Sequence, residues 1–225
     1  MIPLKDDIPS STFPFVTISI IVINVLVFVY QTAIGIQGAE TFIYRTAAIP
    51  YDITHFLDAP TRSVAPPPFT ILTSMFVHGG LFHIAGNMLF LWIFGDNVED
   101  TLGHFRFVIF YLFTGTAASL THIIMEPAST VPMIGASGAI AGVLGAYFIL
   151  FPKANIKTLI FLFFFVSVVR IPAVVFLGFW FVLQLLSSGA AGAGGIAWYA
   201  HIGGFIAGAA TVLLLRPGRA GRRSY

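Results

Sequence analysis

A serine hydroxyl is a weak nucleophile until a base such as imidazole sits beside it. Two uncharged stretches carry these groups. "MIGASGAIAGVLGAYFILF" (133–151) holds Ser137, and "AWYAHIGGFIAG" (197–208) holds His201. Taken alone, each has an ordinary explanation. Small residues, serine included, let helices approach closely in membranes. A histidine within an apolar span is either hydrogen-bonded to a neighbouring helix or part of a functional site. Taken together, they offer a nucleophile and a general base. A third stretch, "HIAGN", sets His83 and Asn87 one helical turn apart on one face. Both can donate hydrogen bonds, as stabilisation of a developing oxyanion requires. His78, in "FVHGG", reads as a brace for that loop or for those groups; His55, His104 and His122 read as boundary or loop residues.

Other chemistries fit less well. "GASGA" departs from the Gly-x-Ser-x-Gly nucleophile elbow at Ala139, and the strand–turn–helix context of that elbow is missing. A metal centre would need a His-Glu-x-x-His or a carboxylate at the depth of the histidines, and neither is present. No metal and no cofactor are expected. Asp96, Glu99 and Asp100 fall at the far end of the His83 helix, about 20 Å away by helical rise. Glu126 lies at the rim of a span. The pattern is a Ser–His pair without an aspartate.

The elements that must position these groups are membrane helices. The chain has 225 residues, of which 57% are hydrophobic and only 9% charged, where soluble domains carry about 25%. A net charge of +2 suggests no nucleic-acid partner, and the absence of cysteine excludes disulfides, thiolate chemistry and cysteine-ligated zinc. Spans of about 20 apolar residues are expected near 13–31, 81–95, 105–125, 135–151, 171–186 and 196–215, an all-α polytopic bundle of six transmembrane helices. The first reads as a retained span, because no small-residue cleavage site follows it. Residues 35–68 form a long polar connector, and such loops are usually functional. Residues 68–80 are apolar but short. Residues 156–169, flanked by Lys157 and Arg170, are too short to cross and are expected to lie at the interface.

The positive-inside rule sets the orientation. With both termini cytoplasmic, Lys5, Arg106, Lys153, Lys157, Arg170, Arg216, Arg219, Arg222 and Arg223 face inward, and only Arg45 and Arg62 face outward. The chain then divides into a cytoplasmic tail (1–12), a membrane domain (13–215) and a basic cytoplasmic tail (216–225). In this topology the second, fourth and sixth spans run in the same direction. His83, Ser137 and His201 therefore share one depth, within roughly 10 Å of the outer helix ends. Gly138 and Gly142 on the fourth span, and Gly204 and Gly208 on the sixth, form Gly-x-x-x-Gly faces that would let the two helices meet.

With these motifs in order, the chain resembles the rhomboid intramembrane serine proteases in their six-span prokaryotic form. "FVHGGLFHIAGNMLFLWIFG" (76–95) is similar to the family's His-x-x-x-Asn span, and "VEDTLGHFRF" to its Glu-x-x-x-Gly turn, through Glu99 and Gly103. "GASG", with Gly135, is similar to the nucleophile motif, and "AHIGGFIAG" to the histidine motif of the last span. The resemblance implies that Ser137 is the nucleophile and His201 the general base and acid. It implies an oxyanion hole of Asn87, His83 and the Ser137 N–H. It also implies single-span or polytopic membrane proteins as substrates, a lipid bilayer as surroundings, and the plasma membrane of a bacterium or archaeon as location. Two positions depart from the pattern. Tyr44-Arg45 stands where relatives often have Trp-Arg. Ala141 stands where some relatives place a tyrosine stacked on the histidine, which leaves Trp198 or Tyr199 to hold the His201 ring. The alternatives are a catalytically silent adaptor that binds client helices, and a transporter. A transporter would be expected to show internal repeats, and no convincing repeat is seen.

Overall fold

Lipid cannot hydrogen-bond a bare peptide group, so apolar runs of this length become helices. The structure is a computed structural model that describes residues 1–57, 66–162, 165–189 and 197–215. In chain order the elements are β1 (Ile2–Lys5), α1 (Phe15–Ala33), α2 (Gly35–Thr46), α3 (Pro50–Thr54), a 3₁₀ turn (Pro67–Phe69) and α4 (Thr70–Ser74). They continue with α5 (Leu81–Leu102), α6 (His104–Met125), α7 (Ser137–Leu150), β2 (Asn155–Leu162), β3 (Phe165–Pro172), α8 (Ala173–Gly189) and α9 (Trp198–Leu215). Among the described residues, α1, α6 and α9 are long and apolar enough to cross a membrane, and α7 and α8 are shorter apolar helices. Helix α7 lies at the centre, with Ala141, Val143, Leu144, Ala146 and Tyr147 fully buried.

The all-α expectation is corrected at one end of the bundle. The fold is mostly helical, but β1, β2 and β3 form an antiparallel sheet in that order. Residues 156–169 are rich in β-branched and aromatic side chains, a composition that suits a pleated surface better than a helix. The N-terminal residues add the edge strand β1, where Pro3 costs no ladder bond that the edge needs. Asp6 anchors this strand by accepting a 2.6 Å hydrogen bond from the buried Tyr147 hydroxyl. Burial pushes the Asp6 carboxyl up to about 6.

Helix α5 continues past the expected end at residue 95 to Leu102, because its acidic last turns have partners. Ser10 donates to Asp96, and Ser11 and Thr12 donate to Asp100. Glu99 is fully buried. It accepts from the Val16 N–H at 2.9 Å and from the Thr17 N–H and hydroxyl at 2.7 Å, and it pairs with His104 Nδ1 at 2.6 Å. It thus caps α1, whose first N–H groups have no partner within their own helix. Glu99→Ala would leave the two buried Thr17 donors bare, at about 1–3 kcal/mol each, along with the half-buried Val16 N–H. A fall in thermal unfolding temperature of the detergent-solubilised chain, with Glu99→Gln falling less, is the expected outcome.

In its described residues the polar connector is largely helical, through α2 and α3. Its Asp58 and Arg62 lie outside the described residues, as does the basic tail 216–225. Ala48 and Met133 exchange backbone hydrogen bonds of 3.1 and 2.8 Å, and the Gly135 N–H donates to Ser74 at 2.9 Å. These bonds tie the connector and α4 to the segment that enters α7.

Candidate active site

Ser137 is the first residue of α7. The first N–H groups of a helix are unpaired and point outward, and the helix dipole favours negative charge there. The entering chain reaches this position through Gly135, with φ +115°. A Cβ there would stand 2.7 Å from His83 Nε2, so a side chain is excluded on steric as well as backbone grounds.

His201 lies in the first turns of α9. Its Nε2 is 2.8 Å from Ser137 Oγ, and its Nδ1 is 2.8 Å from Gln184 Oε1. The donor and acceptor roles follow from Gln184, on α8. The Gln184 side-chain NH₂ donates to the Trp180 carbonyl at 3.1 Å. A carbonyl only accepts, so this bond fixes the amide, and Oε1 must face the histidine. Nδ1 therefore carries the proton and donates to Oε1. Nε2 presents its lone pair to the hydroxyl, and the Ser137 O–H donates to it. A base needs this tautomer. Trp180 lies 5.9 Å from the His201 ring, and Trp198 approaches it edge-on at 6.1 Å. Tyr199 instead packs beside His122, at 6.2 Å.

Close packing brings the two helices together. A Cβ on Gly204 or Gly208 would collide with the carbonyl oxygen of Gly138 or Gly142 respectively. The α9 glycines face the α7 backbone directly. The bare faces of Gly138 and Gly142 do not face α9 as expected. They open toward Ala118 and Thr114 of α6, and on α7 it is Gly145 that meets the backbone of Phe205.

A cleft of about 1200 Å³ joins these groups, lined among others by His83, Asn87, Ser137, Trp180, Gln184 and His201. His122, read as a boundary residue, lines it too. The Asn87 side chain lies 2.9 Å from Nε2 of the fully buried His78. The Asn87 NH₂ donates one N–H to His78 Nε2, so His78 carries its proton on Nδ1, with the Phe76 backbone as its partner. An amide nitrogen has two N–H donors, and the second is left for the cleft. His78 is itself held through its backbone, whose carbonyl accepts from Gln31 at 2.8 Å. His83 Nδ1 accepts from the Gly79 N–H at 3.3 Å, which leaves Nε2–H free to donate.

Sequence reasoning did not single out Gln184, Trp180 or Gln31. The signal for the first was a lone amide in the apolar run "FWFVLQLL" (179–186), a polar residue at membrane depth that requires a partner.

The Rhomboid domain family profile matches residues 67–218, which contain each of these cleft residues. The chain belongs to the rhomboid family. It is an integral membrane protein. This rhomboid is 32% identical over 132 residues to the mitochondrial presenilin-associated rhomboid-like protein of Bos taurus, covering 56% of the chain and 34% of that protein. It is 38% identical over 96 residues to the mitochondrial rhomboid protein 1 of Saccharomyces cerevisiae, covering 41% of the chain and 28% of that protein. It is 42% identical over 76 residues to the rhomboid protease GluP of Bacillus subtilis, covering 34% and 14%. The matches thus span about a third or less of each relative's length.

Proposed function

We propose that this rhomboid is a serine endopeptidase that cleaves peptide bonds in or near the transmembrane helices of other membrane proteins. The observation that carries the proposal is the 2.8 Å Ser137–His201 contact, with Nδ1 of the histidine already committed to Gln184. Ser137 Oγ attacks the scissile carbonyl while its proton passes to His201 Nε2. The oxyanion is met by the Ser137 N–H at the start of α7, the Asn87 NH₂ and the His83 Nε2–H. His201 then protonates the leaving amine. Water, activated by the same nitrogen, hydrolyses the acyl-enzyme. A substrate helix must unwind locally, since a helical backbone has its carbonyls engaged. Segments weakened by Gly or Pro near the outer face are therefore the favoured substrates.

The proposed topology has six spans, α1, α5, α6, α7, α8 and α9, within a membrane domain over 13–215, and both termini cytoplasmic. The proposed location is the plasma membrane of a bacterium or archaeon, which fractionation of the native host tests. The full-length chain in liposomes, incubated with a panel of single-span reporters, should release fragments identifiable by mass spectrometry. Capture of reporters with no fragment from any of them would favour a silent adaptor.

Gln184 has a positioning role in this mechanism. Gln184→Met keeps the volume but removes the acceptor, so the wrong tautomer becomes available. A fall in kcat of roughly 10²-fold or more with KM little changed is expected, since the lost interaction matters in the transition state. Gln184→Glu, which restores an acceptor at Nδ1, should recover most of the rate. A purely structural role would give neither the split nor the rescue.

A further inference from the structure

We propose that the three-stranded sheet is a docking surface for anionic lipid headgroups, with one face lying against the leaflet at the end of the bundle opposite Ser137. This inference concerns the membrane placement of the fold and does not rest on the protease reading. Register defines the face. Lys5 pairs with Lys157, and Lys157 with Arg170, so three basic residues form one row across the strands. Side chains of paired residues point to the same side, and like charges directly opposite one another are destabilising. All three are exposed. Among the described residues, no carboxylate lies within ion-pair distance of any of them. A fold that aligns three cations without a protein counter-ion has left that role to an anion.

The same face carries the rest of the pattern. The next rows outward are Ile2–Leu159–Val168 and then Phe161–Val166. Ile2, Phe161, Val166 and Val168 are 41%, 56%, 62% and 55% exposed. From Lys157 to Phe161 the strand advances roughly 13 Å, so the basic row lies near the bundle and the apolar strip reaches beyond it. The other face is buried near the bundle, where Ile156 and Thr158 have no exposure. In water the apolar strip would be a liability. At the leaflet surface both parts are matched, with apolar side chains entering the headgroup–acyl boundary and basic ones at the phosphates, the arrangement of interfacial amphipathic segments. The sheet joins the C-terminal end of α7 to the start of α8. By the positive-inside reading, Lys5, Lys157 and Arg170 all belong to the cytoplasmic leaflet, the one that carries most anionic lipid.

The chain lacks cysteine, so Phe161→Cys takes a single polarity-sensitive fluorophore. The full chain is placed in nanodiscs of equimolar phosphatidylcholine and phosphatidylglycerol. The expected result is blue-shifted emission, quenched by a spin label on the lipid acyl chain and not by aqueous iodide. Native mass spectrometry of chain extracted from the same mixture should show phosphatidylglycerol retained over phosphatidylcholine. At roughly fivefold per basic side chain, the preference for three is about a hundredfold. It should fall towards parity in Lys5→Gln/Lys157→Gln/Arg170→Gln. Quenching by iodide alone, or equal retention in the wild-type and triple variant, would overturn the proposal. Shielding that vanishes on dilution with lipid and coincides with energy transfer between copies would overturn it too, by making a second copy the occupant. The fluorophore reports on the native basic row even if the triple variant fails to fold.

Discussion

Ser137→Ala is expected to lower the turnover of a cleaved transmembrane reporter by about 10⁴-fold or more, and His201→Ala by a similar factor. The two losses should not add. Ser137 without its base keeps its proton, and His201 without the serine has nothing to deprotonate, so the double variant should be about as slow as either single one. Reporter capture should be nearly unchanged, because neither side chain is needed to hold a helix in the cleft. Single-turnover assays in liposomes separate the two quantities. An intact rate in either variant would remove the hydroxyl–imidazole pair from the mechanism.

Gly204→Val is the second large effect. The Cβ at position 204 would strike the carbonyl oxygen of Gly138, a backbone atom that cannot rotate away. Helix α9 must shift, and it carries His201 with it. A displacement of roughly 1 Å from attack geometry can cost about 10²-fold in rate, and the overpacking itself costs about 1–3 kcal/mol. The expected result is a drop in both kcat and thermal stability. Gly178→Ala is the control. Its Cβ would have its nearest neighbour, Phe148, at 4.0 Å. It should leave rate and stability intact, so the Gly204 effect cannot be blamed on a lost glycine as such.

These expectations show which parts of the molecule are legible in its sequence. Apolar length alone locates the long helices, because lipid imposes one backbone solution on such runs. That Ser137, His201, His83 and Asn87 share one end follows from span direction and charge placement. Three features were harder to read. Gln184 carries no charge, and a third member for a Ser–His pair is first expected to be a carboxylate, although a neutral amide can set the tautomer equally well. The sheet was hidden because a short apolar run has no periodicity that separates strand from helix, and β1 lies about 150 residues away from its partner in the chain. The glycine faces illustrate a third limit. A Gly-x-x-x-Gly spacing predicts a close helix neighbour without saying which one, and Gly138 and Gly142 open toward α6 while Gly204 and Gly208 open toward α7.

The central claim is that Ser137 is a nucleophile activated by His201. A fluorophosphonate probe tests it without any knowledge of the substrate, since it reacts only with an activated hydroxyl. Intact chain in liposomes should gain one probe, mapped by peptide mass spectrometry to Ser137, and His201→Ala should lose that labelling while remaining folded. Absence of labelling at Ser137 in the folded wild-type chain, or labelling that survives His201→Ala, would contradict it.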